Sequence, residues 1–166
     1  MAVNDMNELL KHELGDLLYA EKTILKGLKK MAREVKDPEV NARLVQHHAE
    51  TEGQIQNLER AFAALGYKAR AQKCPGILGL MEEHDEFKEE EEPSPQILEA
   101  FDLGSGLRVE HYEIAAYNTA IAIATAIGES ECARLLKENL AQEMEMERFL
   151  RTNAVKALKK LNMQAA

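Results

Sequence analysis

The stretch RVEHYEIAAYNTA, residues 108–120, puts two glutamates, a histidine and two tyrosines into what otherwise reads as a buried helix. Leu107, Ile114, Tyr117 and Ile121 recur at three- and four-residue intervals, the spacing of one helical face. Glu110 stands three after Leu107 and four before Ile114, and Glu113 stands four before Tyr117, so both acids project to that side. A chain rich in aliphatic residues has no packing reason to place them there. The explanation depends on where the other helices put their acids.

Working outward from this segment, Ser94-Pro95 opens its helix as cap and first residue, and the apolar positions Ile97, Phe101, Leu107, Ile114, Tyr117 and Ile121 carry it to Gly128, giving a helix over about 94–127. Ser130 caps the next, over about 130–161, with Leu136, Leu140, Phe149 and Leu150 facing in. Toward the N-terminus, Asn4 or Asp5 caps a helix over about 4–35 whose stripe is Leu10, Leu14, Leu17, Leu18, Ile24, Leu25, Leu28 and Met31. Asp37-Pro38 stops it and starts a helix over about 38–65, carried by Val40, Leu44, Ile55, Leu58, Phe62 and Leu65 and closed by Gly66. The result is two antiparallel hairpins. Residues 67–93 between them are too long for a simple loop and imply a crossover, in which residues 76–87 form a short extra helix and the EEEE run at 89–92 is a solvated approach to the next helix. The fold class is all-α: one domain, 1–166, as a four-helix bundle with one long crossover, the ferritin-like arrangement.

Composition supports this and excludes several functions. Aromatic residues are 5% with no Trp and four Pro, against a hydrophobic fraction of 45%, so the chain favours helices and can build a core. A net charge of −8 leaves no basic stripe for nucleic acid and disfavours anionic membranes. No apolar run spans a bilayer and residues 1–10 do not read as a signal peptide, so a cytoplasmic location is expected. Cys74 and Cys132 share no metal or redox spacing and read as reduced thiols.

The other acids fall into the same pattern. Glu21 occupies the next core position after Leu17 and Leu18. The segment QHHAETEGQ, 46–54, holds no aliphatic residue larger than Ala, yet lies where the stripe must continue, and His47, Glu50, Thr51 and Gln54 share its inward half. Glu143 stands three after Leu140, with Glu147 one turn further out. All four long helices therefore interrupt their apolar faces with acid near mid-length. Converging buried acids persist only if protonated, paired with Arg or Lys, or neutralised by a cation. Lys22 and Arg108 are the nearest cations in sequence and both can reach outward, which leaves a metal pair. Carboxylates with one imidazole suit iron or manganese better than zinc.

The segments YAEK (19–22), HHAETEGQ (47–54), VEHYEIAAYNTA (109–120) and LLKENLAQEMEMERFL (135–150) resemble the YciE/YciF-type ferritin-like proteins, a bacterial stress-associated family, and the resemblance runs over nearly the whole chain. It implies the bundle just described, a dimer rather than a cage, and acidic site positions at Glu21, Glu50, Glu110, Glu113 and Glu143. The chain departs from the usual di-iron pattern, because Gly53 stands three after Glu50 and Met146 three after Glu143, where that pattern has His. His47, three before Glu50, can supply an imidazole from the other direction. His111 is expected outward or behind the ligands, and His48 and His84 in solvent. The crossover reads KCPGILGLMEE where the family pattern is KCxAMEGLIEE, so Pro75 is expected to displace the short helix.

The expected ligands are thus Glu21, His47, Glu50, Glu110, Glu113 and Glu143, holding two iron ions or manganese, with no catalytic residue assigned. Two functions remain open: oxidant-directed iron chemistry in which Tyr112 or Tyr117 relays an electron, or a non-catalytic dimeric stress or structural protein in which the acids or their metal only stabilise the bundle. Small secondary faces at Ala115, Ala116, Ala122 and Met144 also point to a homodimer.

Overall fold

Each helix begins and ends on recognisable local chemistry. Asp5 accepts the Glu8 N–H at 2.8 Å while the Glu8 carboxylate takes the Asn4 N–H at 2.8 Å, a reciprocal cap. Asp37 accepts from the Glu39 and Val40 amides, directly before Pro38. The second and fourth helices close with left-handed Gly66 (φ 75°) and Gly128 (φ 80°). The amides two residues past the caps bond back across the last turn, Tyr67 to Phe62 and Glu129 to Ala124.

The structure, a computed structural model, describes residues 3–164. Those residues form five helices: α1 (Met6–Glu34), α2 (Pro38–Ala64), α3 (Pro75–Glu90), α4 (Pro95–Ala126) and α5 (Ser130–Gln164). The four long ones pack as a ring in which α1 touches α2 and α4, and α5 touches the same two. Two apolar clusters fill the interior. One joins Leu10, Phe62, Ala124 and Leu136 at the end where α1 begins, and the other joins Leu28, Val40, Leu103 and Leu150 at the opposite end. Every neighbouring pair is therefore antiparallel, and the acids lie between the two clusters. No helix is long and apolar enough to cross a membrane.

The crossover travels the length of the bundle along α1 and α4. The Gln72 amide bonds the Gly15 carbonyl at 2.8 Å, and Lys88 reaches Glu34 at 3.2 Å. Where the sequence suggested that Pro75 displaces the short helix, it starts it: Pro75 is the first residue of α3, where its missing N–H costs nothing, and Cys74 is the cap, its Sγ accepting from the Ile77 amide at 3.4 Å. The Cys74 thiol also meets the Tyr112 hydroxyl at 2.8 Å, and that hydroxyl donates to Asp16 at 2.8 Å. Both cysteines are buried and free.

Four further expectations need correction. Ser94 precedes α4 but its side chain makes no capping bond, and Ser130 is the first residue of α5 rather than its cap. His84 is not solvent-facing: it bonds Asp102 at 2.8 Å and ties α3 to α4. The stripe read from Ile97 to Ile121 is only in part the inward face of α4: Tyr117 is buried and Leu107 and Ile121 pack against the core. Ile97 is 47% exposed, while Leu103, Val109, Glu110, Glu113, Tyr117, Ala120 and Ala124 are buried. α1, α3 and α5 each pack on the helix, and its remaining side exposes Arg108, His111, Asn118 and Thr119.

One substitution tests the α3 junction. A Cβ on Gly76 would stand 2.7 Å from Cε2 of Tyr112. The ring cannot retreat without breaking the bonds to Cys74 and Asp16. Gly76→Ala should destabilise the protein by about 1–3 kcal/mol in chemical denaturation, the usual cost of overpacking. In a Tyr112→Leu background most of that loss should vanish.

Candidate metal centre

Glu21 on α1, His47 on α2, Glu110 and Glu113 on α4 and Glu143 on α5 are all buried. Their ligand atoms form two overlapping triads, His47/Glu110/Glu143 and Glu21/Glu113/Glu143, with all atoms in each triad within 4.8 Å of one another. Glu143 belongs to both. His47 Nε2 lies 3.5 Å from Glu110 and 3.7 Å from Glu143.

Glu50, expected among the ligands, lies one step outward and belongs to neither triad. Its side chain is 14% exposed, and its carboxylate accepts from Arg43 at 2.9 Å and Gln46 at 2.7 Å and meets His47 Nδ1 at 3.2 Å. Glu50 thus aims the imidazole so that Nε2 faces the acids. Glu147 pairs with Arg151 at 2.9 Å, and His111 is exposed beside it. His48 is half-buried.

Polar side chains hold the acids from the side of the first apolar cluster. Tyr117 donates to Glu21 and accepts from Asn139 at 3.0 Å, and Gln54 donates to Glu143, the acid common to both triads. Asn139 is braced by Asn57 at 2.9 Å. Each bond occupies a single carboxylate oxygen. Glu21 Oε2, Glu143 Oε2, Glu110 Oε2, both oxygens of Glu113 and His47 Nε2 remain buried with no hydrogen-bond partner.

Such orphaned atoms carry an electrostatic cost. Burial pushes Glu21 up to about 7, against the Tyr117 bond and His47, which lower it. Burial, then the neighbouring acids Glu21 and Glu110, drive Glu113 well above the carboxylate range, and burial with Glu113, Glu21 and Glu110 does the same to Glu143. Burial pulls His47 down, but Glu110 and Glu50 outweigh it and hold the ring at about 9. Glu50 is lowered to about 2, chiefly by its bond to His47. Tyr117 is raised by burial and by Glu21 and Glu143.

The donor set fits a hard cation pair. Four carboxylates and one imidazole converge from all four long helices, their free lone pairs are turned inward, and a carboxylate braces the imidazole from behind. Two participants, Asn139 and Arg43, carry no expectation from the sequence. Asn139 stands four before Glu143 on the inward side of α5, a position periodicity could have flagged. Arg43 stands four before His47, and its side chain is only 11% exposed. Gln54 was read as inward-facing, but its bond across to α5 has no signal in one sequence.

The chain is similar to known proteins. Protein YciF of Escherichia coli (strain K12) is 32% identical over 144 residues, 86% of each chain. The crystal structure of the E. coli stress protein YciF superposes with a TM-score of 0.87 at 30% identity, covering 95% of this chain and 99% of that one. YcfI of Rhodopseudomonas palustris, described as a candidate structural protein, superposes with a TM-score of 0.86 at 37% identity, covering 90% of this chain and 95% of that one. The family described as Domain of unknown function (DUF892) matches residues 5–163, and together with the YciF relationship over 86% of the chain it establishes that the chain is a member of that YciF-type family.

Proposed function

We propose that this protein is a ferritin-like di-metal carboxylate protein, binding two iron ions or manganese and protecting the cell against oxidant stress by oxidising Fe(II) or reducing peroxide. The observation that carries the reading is the set of unpartnered, buried carboxylate and imidazole atoms converging from four helices. Glu21, Glu113 and Glu143 would hold one ion, and His47, Glu110 and Glu143 the other. When bound, such a pair supplies redox equivalents and Lewis acidity.

The chain's own residues prepare the site. Arg43 fixes Glu50, and Glu50 fixes the His47 ring. Gln54 and Tyr117 set the rotamers of Glu143 and Glu21. The surrounding apolar clusters keep bulk water away from the acids. Tyr117 stands in direct contact with a proposed ligand, which makes it the better placed of the two tyrosines to pass an electron or proton.

Anaerobic titration with Fe(II), followed by elemental analysis, should give about two ions per chain, and added peroxide should then be consumed. Failure to take up iron or manganese would overturn the metal reading.

The second reading is a non-catalytic stress or structural module. Arg43 and protonated His47 supply positive charge beside the acids, so the cluster can persist with shared protons alone, and the description of YcfI points the same way. Metal uptake without peroxide turnover would select it. Both readings include a homodimer, supported by exposed Ala115, Ala122, Val45 and Met144. Light scattering should give the mass of two chains, and a concentration-independent mass of one chain would refute the dimer.

A further inference from the structure

Beside the acids, a thiol, a phenol and a carboxylate meet where the crossover joins the bundle: Cys74 caps α3, Tyr112 lies on α4 and Asp16 on α1. The Cys74 Sγ stands 2.8 Å from the Tyr112 hydroxyl, which donates to Asp16 Oδ2 at 2.8 Å. Because the phenol proton goes to Asp16, the thiol donates to the phenol oxygen. Tyr112 therefore meets a sulfur on one side and a proton acceptor on the other. Cys74 is fully buried, whereas Tyr112 and Asp16 are half-buried. Cys132, the other thiol, packs in the opposite apolar cluster and is no partner for a disulfide.

The ring is also held in register with the sulfur. Its Cε2, a carbon ortho to the phenolic oxygen, faces the first turn of α3 so closely that a Cβ on Gly76 would stand 2.7 Å from it. Cys74 begins that turn, its Sγ fixed by the Ile77 amide at 3.4 Å. Tyr112 immediately precedes Glu113, a member of one acid triad.

We propose that Cys74 and Tyr112 are joined by a thioether bond, Sγ to Cε2, when hydrogen peroxide is reduced in the protein, and that the bond clamps α3 onto α4. The proposal rests on the di-metal reading for its oxidant alone. Tyr112 gives one electron toward the proposed iron pair and its proton to Asp16, leaving a neutral phenoxyl radical with unpaired density on the ortho carbons. The Cys74 sulfur adds at Cε2. A second electron then leaves with the thiol proton and the ring proton, and the phenol recovers its own proton from Asp16. In sum the S–H and Cε2–H bonds break, one C–S bond forms, and two electrons and two protons convert one peroxide to two waters. Tyr117, bonded instead to Glu21 and Asn139, can pass an electron and return to its starting state.

Mass spectrometry of the full chain tests this in a Cys132→Ser background. In one arm, anaerobically Fe(II)-loaded protein of measured iron content receives peroxide. Its mass should fall by that of two hydrogens and stay there in dithiothreitol. Tryptic peptide 74–88 should appear joined to 109–134, with fragmentation placing the link at Cys74 and Tyr112. The melting temperature should rise by roughly 5–10 °C, as for a covalent staple closing a loop of this length. Tyr112→Phe should form no link. Asp16→Asn keeps the shape but cannot take the proton, and should slow the link on the order of 100-fold with iron content unchanged. In a second arm, metal-free protein is irradiated with tris(bipyridine)ruthenium(II) and persulfate, which takes single electrons from tyrosine without iron. A link in this arm from protein that takes up no iron supports the pairing and overturns the metal reading. No link in either arm, oxygen gained on Cys74 in its place, or an Asp16→Asn rate equal to wild type would overturn the proposal. So would iron uptake with a link under ruthenium alone, or a link that leaves the melt unchanged.

Discussion

Glu143→Gln should remove the binding of both ions at once, lowering metal affinity by on the order of 100-fold or more. Glu143 is the residue common to the two triads, so its charge is the one both proposed ions share. The amide keeps the volume and can still meet Gln54, so the bundle should fold normally. In chelator the variant should melt at the same temperature or higher, because one member of a crowded acid cluster has lost its capacity for charge. Glu110→Gln and Glu113→Gln each touch one triad and should weaken one ion more than the other. Glu147→Gln, whose partner is Arg151, should titrate as wild type. Normal binding by Glu143→Gln alongside crippled binding by Glu147→Gln would move the centre outward along α5 and refute the assignment.

How far these positions could be read in advance differed by helix. In α1 the stripe is clean on both sides of Glu21, so a single acid in register was conspicuous, and it is buried. In α2 the absence of any aliphatic larger than Ala over 46–54 announces a polar interior, and His47, Thr51 and Gln54 are buried there. Glu50 was harder: it lies at the edge of the inward arc, and only a neighbour decides whether such a residue turns inward or away. Arg43 is that neighbour. In α4 the spacing misleads at its start, where Ile97 reads as inward although it is exposed, but it holds further along, where Tyr117 is buried and Leu107 and Ile121 pack against the core. Glu110 and Glu113 were still identified because their spacing to Tyr117 holds whichever face is buried. What no local pattern contained was the pairing across helices: Tyr117 with Glu21, Gln54 with Glu143, and Tyr112 with Asp16 and Cys74. Those contacts join residues far apart in the chain, and only the ring order of the helices fixes them.

Metal-free protein should lose stability as pH rises from about 5 to 9, and metal should reverse that trend. Glu21 is raised from 4.5 to about 7 in the folded chain, and Glu113 and Glu143 are raised as well. Between those limits the folded state keeps protons that the unfolded chain has released, so stability is fully present below about 4.5 and falls as pH climbs through the folded values. The displacement of Glu21 alone corresponds to about 3 kcal/mol. His47, raised from 6.5 to about 9, adds in the same direction, its contribution full below 6.5 and lost through about 9. Glu50 acts oppositely, but its value of about 2 confines that effect to strong acid. Bound ions would take the place of those protons, and because ligands must be deprotonated to bind, metal affinity should rise with pH. Melting temperatures in chelator at pH 6, 7, 8 and 9 should therefore decline, whereas those with saturating Mn(II) should stay level or rise, so that the metal-induced increase is largest at pH 9. Equal stability at pH 6 and 9 in chelator would mean that the acids are already solvated or ion-paired. A decline that persists unchanged with Mn(II) would mean that protons alone hold the cluster together, and would favour the module without metal chemistry.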